Sequence, residues 1–246
     1  MQGTKAILFD CDGVLVDTER DGHRVAFNRA FEQAGVEAEW SAERYGELLS
    51  VAGGKERMAA HFDARGWPVS ESERDAFIRS LHEIKTQQFR AIVEAGALPA
   101  RPGIARIVDE AHRAGLVLAV CSTSSAHSVE AVIRSSLGPS RRRKFSVVFA
   151  GDIVPFKKPD PAIYRLASRE LGLRPPECLV IEDSRNGLLA ATAAGMPCVV
   201  TTSRYTRDEE FPEACAVYAD LGDPPGPHLT LPDLIEAVRN RENAGP

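Results

Sequence analysis

The sequence contains no apolar run that approaches the length needed to cross a membrane, so no membrane association is expected. It also has no excess of basic residues, because 30 Lys and Arg stand against 35 Asp and Glu, for a net charge of −5. Without a global positive field we expect no nucleic-acid partner. The local basic run Arg141-Arg142-Arg143-Lys144 is interpreted as a solvated loop before a strand.

Paired cysteine motifs are also missing. The five cysteines are an odd number, no CxxC occurs, and four of them lie in apolar or strand-like contexts. This pattern favours reduced thiols in a reducing compartment over a disulfide framework. A core strand begins within a few residues of Met1, which leaves no room for a signal or transit peptide. The chain is therefore expected to act where it is made or to be a mature form.

The chain is long enough for one large domain or for a core with a smaller second domain, since it has 246 residues. Its most informative stretch is Ala6-Ile7-Leu8-Phe9-Asp10-Cys11-Asp12-Gly13-Val14. Ala6 to Phe9 reads as a short strand buried on both faces, as in a parallel sheet. Asp10 and Asp12 follow where that strand stops, and two crowded acids favour a bound cation such as Mg²⁺. The structural alternative is an ordinary surface turn, in which Asp and Gly are common.

Residues 18–96 carry helical patterns without a convincing strand. Phe27, Ala30, Phe31 and Ala34 have helical spacing, and Ser70-Glu71-Ser72-Glu73 is a capping box before a long helix. From Pro102 onward, apolar strands and helices alternate. The sequence therefore predicts an α/β fold with a doubly wound parallel sheet and an inserted small all-helical domain. We assign 1–17 and 97–246 to the core and 18–96 to the insert.

Chemically active residue types stand at the ends of several predicted strands. Ser122 ends one strand, Glu182-Asp183 ends another, and Lys158 precedes a helix start. Because ligands bind at the carboxyl ends of parallel strands, these side chains should converge with Asp10 and Asp12. Each has a structural alternative: Ser122 as a helix cap, Lys158 as a solvated lysine, and the acids as partners of a helix dipole. Their joint occurrence favours a functional site.

This combination of Asp10-Cys11-Asp12-Gly13-Val14, Ser122, Lys158-Pro159 and Glu182-Asp183-Ser184 resembles the four motifs of the haloacid dehalogenase (HAD) superfamily. The resemblance covers nearly the whole chain. It implies a Rossmann-like HAD core with a helical cap and phosphoryl-transfer chemistry. Val14 departs from the Thr that many relatives carry, a change not expected to alter the chemistry.

A finer resemblance lies in the cap and in one core segment. The matching stretches are Tyr45-Gly46-Glu47-Leu48-Leu49, Gly53-Gly54-Lys55-Glu56-Arg57, His82-Glu83-Ile84-Lys85-Thr86 and Tyr205-Thr206-Arg207-Asp208-Glu209-Glu210-Phe211. They are similar to the CbbY-type phosphatases, which are associated with photosynthetic carbon fixation and hydrolyse xylulose 1,5-bisphosphate, an inhibitor of ribulose-bisphosphate carboxylase. Asp21-Gly22-His23-Arg24 and Cys121-Ser122-Thr123-Ser124 look more like the plant and algal branch.

The resemblance implies roles for the core residues. Asp10 is the expected nucleophile, which forms an aspartyl-phosphate, and Asp12 is the expected acid/base. Ser122 would donate to a phosphoryl oxygen, and Lys158 would place a positive charge between the phosphate and Asp10. Mg²⁺ is the expected cofactor, bound by Asp10, the Asp12 backbone carbonyl and Asp183, with Glu182 in or beside its coordination shell.

The cap is expected to exclude water and to select the substrate. For a distal phosphate, the best candidates are Lys55 and Arg57, together with the amides of Gly53 and Gly54. An exposed helix start is the alternative for these residues. The other expected substrate contacts are Glu19, Tyr45, Ser124 and Ser125. Three weaker candidates, which could be surface or packing residues, are His23, His82 and Lys85.

Several functions remain open at this point. A β-phosphoglucomutase-like mutase passes through the same aspartyl-phosphate, and a general sugar-phosphate phosphatase needs no distal anchor. A dehalogenase is disfavoured because Asp12 is present, and a silent binding module is disfavoured because no motif acid is lost. We expect a soluble monomer with a small sugar-phosphate substrate, in the chloroplast stroma if the source is a plant or alga and otherwise in the bacterial cytoplasm.

Overall fold

The computed structural model describes residues 3–96 and 98–244, except for the side chains of Arg20, Asp21 and Ala244. Asp21, part of the branch motif above, and the predicted core boundary at Ala97 thus lie outside what is described. Within the described ranges, no helix combines the length and apolar character of a membrane span.

In the described part of the chain, six strands form one parallel sheet. In chain order they are β1 (Ala6–Phe9), β2 (Val117–Ser122), β3 (Phe145–Ala150), β4 (Cys178–Glu182), β5 (Cys198–Thr201) and β6 (Ala216–Tyr218). Their spatial order is β3-β2-β1-β4-β5-β6, and every neighbouring pair is parallel. The order reverses beside β1, so the predicted doubly wound α/β fold is confirmed and its ligand-binding crevice is expected there.

The described residues form ten α-helices. They are α1 (Arg24–Gln33), α2 (Ala42–Leu48), α3 (Gly54–Arg65), α4 (Arg74–Glu94), α5 (Ile104–Arg113), α6 (Ala126–Val132), α7 (Gly138–Arg142), α8 (Ala162–Leu171), α9 (Arg185–Ala193) and α10 (Leu231–Ala244). A π-helical turn, Glu19–His23, leads into α1, and another, Ile133–Leu137, follows α6. The predicted capping box at Ser70 and Glu73 forms, and α4 follows it.

Both faces of the sheet are covered by helices. On one face, α5, α6 and α10 pack on alternate strand residues such as Ile7 and Phe9. On the other, α8 and α9 pack on Ala6 and Leu8. Burial on both faces explains why β1 and β4 read as continuous apolar runs rather than as alternating patterns.

The region between β1 and β2 is helical, and its described residues form no strand. A separate hydrophobic cluster holds α1 to α4 together around Phe27, Trp40 and Phe62. The C-terminal half of α4 departs from this arrangement, because Phe89 packs in the cluster of the main sheet. The helical insert is therefore anchored to the core by α4, while the exact boundaries 18–96 stay predictions.

The interpretation of the basic run as a solvated loop was wrong. Arg141 and Arg142 lie in α7, and their guanidinium groups pair with Asp109 and Glu130 at 2.8 and 2.7 Å. Lys144 also pairs with Asp109, at 2.5 Å. These partners are distant in sequence, so the local charge pattern could not reveal them.

Candidate active site

A buried cluster of charges lies at the carboxyl edge of β1 and β4. The register pairs Phe9 with Ile181, which sets Asp10 level with Glu182. The Lys158 ammonium donates to Asp10 at 2.6 Å and to Glu182 at 2.5 Å. Burial alone would lower the pKa of Lys158, but the two carboxylates outweigh it and raise that pKa above its ordinary value. Lys158 is thus a permanent cation beside Asp10.

Asp183 adds a third acid without adding a cation. Burial, followed by the charges of Asp10 and Glu182, raises the pKa of Asp183 well above its ordinary value. Among the described residues, Asp183 forms no ion pair. The three acids each offer a carboxylate oxygen, and these oxygens lie within 4.8 Å of one another. An all-oxygen donor set short of positive charge fits Mg²⁺.

Glu182 has a different environment from the other two acids. Its Oε1 accepts from Lys158 and from the Tyr164 hydroxyl, and its Oε2 accepts from the Asp183 backbone N–H at 3.3 Å. With these partners Glu182 fixes the position of Lys158. Its predicted place in the metal shell stays a prediction.

Asp12 is held by residues 18–23, which lead into the helical insert, and by the loop that follows β2. Its carboxylate accepts from Thr18 at 2.5 Å, from His23 at 2.7 Å and from Ser124. Burial raises the pKa of Asp12, but these contacts, with His23 the strongest, outweigh burial and leave that pKa below its ordinary value. Without substrate, Asp12 is therefore a carboxylate.

His23 and Lys85 form a buried relay to Asp12. The Lys85 ammonium lies 2.7 Å from His23 Nδ1. An ammonium only donates, so Nδ1 accepts and Nε2 carries the proton that points to Asp12. The His23 ring also stacks on Phe89, with 3.9 Å between centroids. Of the weaker candidates, His23 and Lys85 therefore touch the acid/base network directly.

Replacing His23 is expected to shift the titration of Asp12. His23→Phe keeps a ring to stack on Phe89 but removes a contact that lowers the pKa of Asp12. We expect the Asp12 limb of the pH profile of kcat/KM to move to higher pH, and the maximum to fall on the order of tenfold. Profiles at saturating Mg²⁺ measure this. Phe89→Leu, which loses the stack and keeps the hydrogen bond, is the control, and an unshifted limb in His23→Phe would contradict the relay.

The serines after β2 occupy distinct places. Ser122 is buried at the strand end, and its Oγ accepts from the Ser124 backbone N–H at 3.1 Å. Ser124 lines the cavity and donates to Asp12. Ser125 also lines the cavity and caps α6 by accepting from the Ser128 backbone N–H. Ser122 does not line the cavity, so its predicted donation to a phosphoryl oxygen stays a prediction. Ser124 and Ser125 do line it, and the capping of α6 by Ser125 is a structural role.

A cavity of about 530 Å³ separates the acids from the helical cap. On its cap side Arg57 is buried, donates to the Leu48 carbonyl at 3.1 Å and to the Tyr45 hydroxyl at 2.9 Å, and lines the cavity. Tyr45 in turn donates to Glu19. Tyr45 is fully buried and does not line the cavity. Its predicted contact with sugar hydroxyls is replaced by the positioning of Glu19 and Arg57.

The Lys55 side chain does not lie in the main cavity beside that of Arg57. Its ammonium pairs with Asp152, at the end of β3, and it lines a smaller groove of about 260 Å³ rather than the main cavity. Gly53 and Gly54 do line the main cavity at the start of α3. Gly53 has φ +95°, a conformation that favours glycine. The structure thus separates two residues that the sequence grouped as one anion site.

Three residues whose side chains act on the acids of the site escaped the sequence analysis: Thr18, Tyr164 and Ser203. Ser203 follows β5, so the rule that sites lie at strand ends could have found it. Its hydroxyl, which also contacts the Thr206 hydroxyl at 3.0 Å, lowers the otherwise raised pKa of Asp183. Thr18 and Tyr164 had no sequence signal, because only the fold brings them to Asp12 and Glu182.

A sequence profile of the haloacid dehalogenase-like hydrolases matches residues 4–195, most of the chain. The chain belongs to this family. It is 53% identical over 230 residues to the CBBY-like protein of Arabidopsis thaliana, an alignment that covers 92% of this chain and 72% of that protein. It is 45% identical over 232 residues to protein CbbY of Cereibacter sphaeroides, with coverages of 93% and 98%.

A solved structure shows the same fold as this hydrolase. It is an Asp-to-Asn mutant of CbbY from Rhodobacter sphaeroides in complex with xylulose-(1,5)bisphosphate, and it matches with a TM-score of 0.84 and 42% identity. The match covers 94% of this chain and 99% of that one. The predictions of a HAD phosphoric monoester hydrolase and of CbbY-type relatives are therefore confirmed.

Proposed function

We propose that this HAD hydrolase removes one phosphate from xylulose 1,5-bisphosphate and releases xylulose 5-phosphate, thereby destroying an inhibitor of ribulose-bisphosphate carboxylase. One observation carries the proposal. Arg57 is a buried cation without an ion-pair partner among the described residues, and it lines the same cavity as Asp10 and Asp12. A cavity with a reacting end and a separate cationic end suits a substrate with two phosphates.

At the reacting end, Asp10 attacks phosphorus and forms an aspartyl-phosphate, while Asp12 protonates the leaving sugar oxygen. Asp12 then takes a proton from the water that breaks the acyl phosphate. Lys158 and the Ser122 hydroxyl stabilise the charge that develops on the phosphoryl oxygens. Mg²⁺, held by Asp10, Asp183 and the Asp12 carbonyl with Glu182 beside it, would supply the positive charge that lets a phosphate dianion approach these acids.

Asp12 must change protonation state during this cycle, and its contacts allow that. Thr18, His23 and Ser124 favour the carboxylate, which is the form that accepts a proton from water. Ser124 lines the cavity, so a substrate can take over its hydroxyl and weaken its hold on Asp12. The carboxyl can then carry the proton that the leaving group needs.

At the distal end, Arg57 and the start of α3 receive the second phosphate. Backbone N–H groups at a helix start are free of intrahelical partners, and the helix dipole favours an anion there. Binding energy from this end can hold the cap on the core and align the reacting phosphate. The CbbY structure that contains xylulose-(1,5)bisphosphate supports this choice of substrate.

Two alternatives predict different products from the same aspartyl-phosphate. A β-phosphoglucomutase-like enzyme would yield an isomerised sugar phosphate, and a general phosphatase would not favour bisphosphates. The deciding experiment measures inorganic phosphate and sugar products from a panel of pentulose and hexose mono- and bisphosphates. The proposal requires stoichiometric phosphate release and a preference for xylulose 1,5-bisphosphate. The higher identity to the Arabidopsis relative supports the plant and algal branch, and for such a source we propose a chloroplast location.

Loss of Arg57 is expected to damage bisphosphate turnover selectively. A charge-assisted contact contributes roughly 1.5–3 kcal/mol, so Arg57→Ala should lower kcat/KM for xylulose 1,5-bisphosphate roughly tenfold to a hundredfold. Activity on p-nitrophenyl phosphate, which reaches only the reacting end, should change much less. Both substrates are measured at one Mg²⁺ concentration and ionic strength.

Lys55→Ala is the matched control, because Lys55 lies two residues away and pairs with Asp152 outside the main cavity. We expect a smaller loss than in Arg57→Ala. Equal losses on both substrates in Arg57→Ala would show that Arg57 only supports the cap through Tyr45 and Leu48. No loss on either substrate would leave the distal phosphate without its proposed anchor and would favour a general sugar-phosphate phosphatase.

A further inference from the structure

Arg101 is a half-buried cation to which the proposed chemistry gives no role. It lies between α4 and α5, on the segment that returns from the helical insert to the core. Its backbone N–H donates to the Leu15 carbonyl at 2.9 Å, so this segment is paired with the loop that follows β1. The Arg101 side chain does not line the cavity and therefore does not belong to the substrate contacts described above.

The Arg101 guanidinium donates to four backbone carbonyls from three chain segments. It reaches Gly13, in the loop after β1, and Ala219, after β6, the latter at 2.6 Å. At the end of β5 it reaches Thr201 at 3.0 Å and Thr202 at 2.7 Å. A planar guanidinium presents its donors in a rigid fork, so the four carbonyls are held in fixed positions relative to one another. Arg101 thus clamps three segments at the carboxyl edge of the sheet.

Two of the clamped segments flank Asp183. β4 lies between β1 and β5 in the sheet, so Asp183, which follows β4, emerges between these two segments. Gly13 lies so close to the Asp183 carboxylate that a Cβ added to this glycine would overlap Oδ2. On the side of β5, the Ser203 hydroxyl lowers the otherwise raised pKa of Asp183, and the Ser203 amide belongs to the same peptide group as the Thr202 carbonyl. Two neighbours of the Asp183 carboxylate are therefore held by Arg101.

Charge and geometry give opposite expectations for the loss of Arg101. Burial lowers the pKa of Arg101, while the charge of Asp183, the foremost of three nearby acids, acts against burial. A cation near Asp183 repels Mg²⁺, so charge alone predicts tighter metal binding once that cation is removed. If the clamp that holds Gly13 and Thr202 matters more, the same change weakens metal binding. The sign of the change in Mg²⁺ affinity therefore separates the two effects.

We propose that Arg101 is a positioning residue of the metal site, which fixes the Asp183 carboxylate for Mg²⁺ by clamping Gly13 and Thr202. This role rests on the proposed metal site but not on the identity of the sugar phosphate. Groups that orient metal ligands from outside the coordination shell typically contribute about tenfold to a hundredfold to metal affinity.

The test measures the dissociation constant of Mg²⁺ by calorimetry on the substrate-free proteins. Arg101→Met keeps an aliphatic chain without donors and should weaken Mg²⁺ binding about tenfold or more. Arg101→Lys keeps the charge without the fork and should weaken it less, roughly threefold. Phosphate release from p-nitrophenyl phosphate by either variant should recover when the Mg²⁺ concentration is raised, because the reacting side chains are unchanged.

Arg106→Met is the matched control. Arg106 also donates to two backbone carbonyls, those of Leu221 and Gly222 at 3.0 and 2.8 Å, but these carbonyls do not flank Asp183. Its loss should lower the melting temperature and leave the affinity for Mg²⁺ unchanged. If Arg101→Met does not fold, Arg101→Lys and Arg106→Lys give the same comparison.

Unchanged or tighter Mg²⁺ binding in the folded Arg101 variants would overturn the role of Arg101, and so would an equal weakening in the Arg106 control. A wild type that binds no Mg²⁺ would overturn the proposed metal site and this role together. A wild type that binds Mg²⁺ but prefers another sugar phosphate would refute only the proposed substrate.

Discussion

Asp10→Asn is expected to remove turnover on the order of 10⁴-fold or more while the protein stays folded, as losses of that size follow removal of a covalent nucleophile. The substitution is nearly isosteric, and an amide oxygen is a far weaker nucleophile than a carboxylate. Lys158 keeps its contacts with Glu182 and the Cys121 carbonyl, so the site does not lose its cation. Because burial raises the pKa of Asp10, its charge is costly to the fold, and the melting temperature should not fall.

The measurement is phosphate release by the purified variant under multiple-turnover conditions, together with binding of xylulose 1,5-bisphosphate by calorimetry. After reaction with a substrate whose phosphate is labelled and an acid quench, the wild-type protein should carry labelled phosphate, and Asp10→Asn should carry none. Asp75→Asn makes the same chemical change at an exposed position on α4 and serves as the control. Substantial turnover or labelling of Asp10→Asn would show that another residue is the nucleophile.

The core of the site could be predicted from sequence because its geometry follows from a few local rules. β1 and β4 are short apolar runs, and parallel strands align their carboxyl ends at one edge. Once the fold is α/β, the residues that follow those strands must meet. Asp10, Ser122 and Glu182 are each fixed within a residue or two of a strand end, so no knowledge of long-range packing is needed.

The cap side of the site could not be predicted in the same way. His23 reaches Asp12 only because α1 and α4 pack together over the sheet edge, an arrangement that local sequence does not encode. Successive residues of a helix are about 100° apart, so Lys55 and Arg57 project in nearly opposite directions from the first turn of α3. From the sequence we can infer that only one of the two side chains faces the cavity, but not which one. The packing of Arg57 on Tyr45, with 5.2 Å from guanidinium to ring centroid, decides which.

The same limit explains the error at Arg141. A run of four basic residues usually faces solvent when its neighbours in sequence carry no acids. Here the acids lie on α5 and α6, and they come together with α7 only in the folded chain. Charge patterning within one segment therefore predicts less than the position of residues at strand ends, which topology constrains directly.

Removal of divalent metal is expected to abolish phosphatase activity, by on the order of a thousandfold or more, since a metal contributes several kcal/mol of charge stabilisation to phosphoryl transfer. Among the described residues, Asp10 and Glu182 share one ammonium, that of Lys158, and Asp183 has no ion pair. Burial, followed by the charges of neighbouring acids, raises the pKa values of Asp10 and Asp183. A phosphate dianion would add further negative charge. Phosphate release after treatment with a chelator, and after restoration with Mg²⁺, measures the effect, with residual metal checked by elemental analysis.

Two further arms separate a catalytic metal from a merely stabilising one. Asp183 forms no ion pair among the described residues, and Asp183→Asn removes its charge. This variant should need a higher Mg²⁺ concentration for half-maximal activity and should be stabilised less by Mg²⁺ in thermal melting. Ca²⁺ should also stabilise the wild type but support turnover poorly, because its longer and looser coordination places the nucleophile and the phosphate less well. Full activity in excess chelator would refute the metal requirement. Equal turnover with Ca²⁺ and Mg²⁺ would show that the ion only balances charge and does not set the geometry around Asp10.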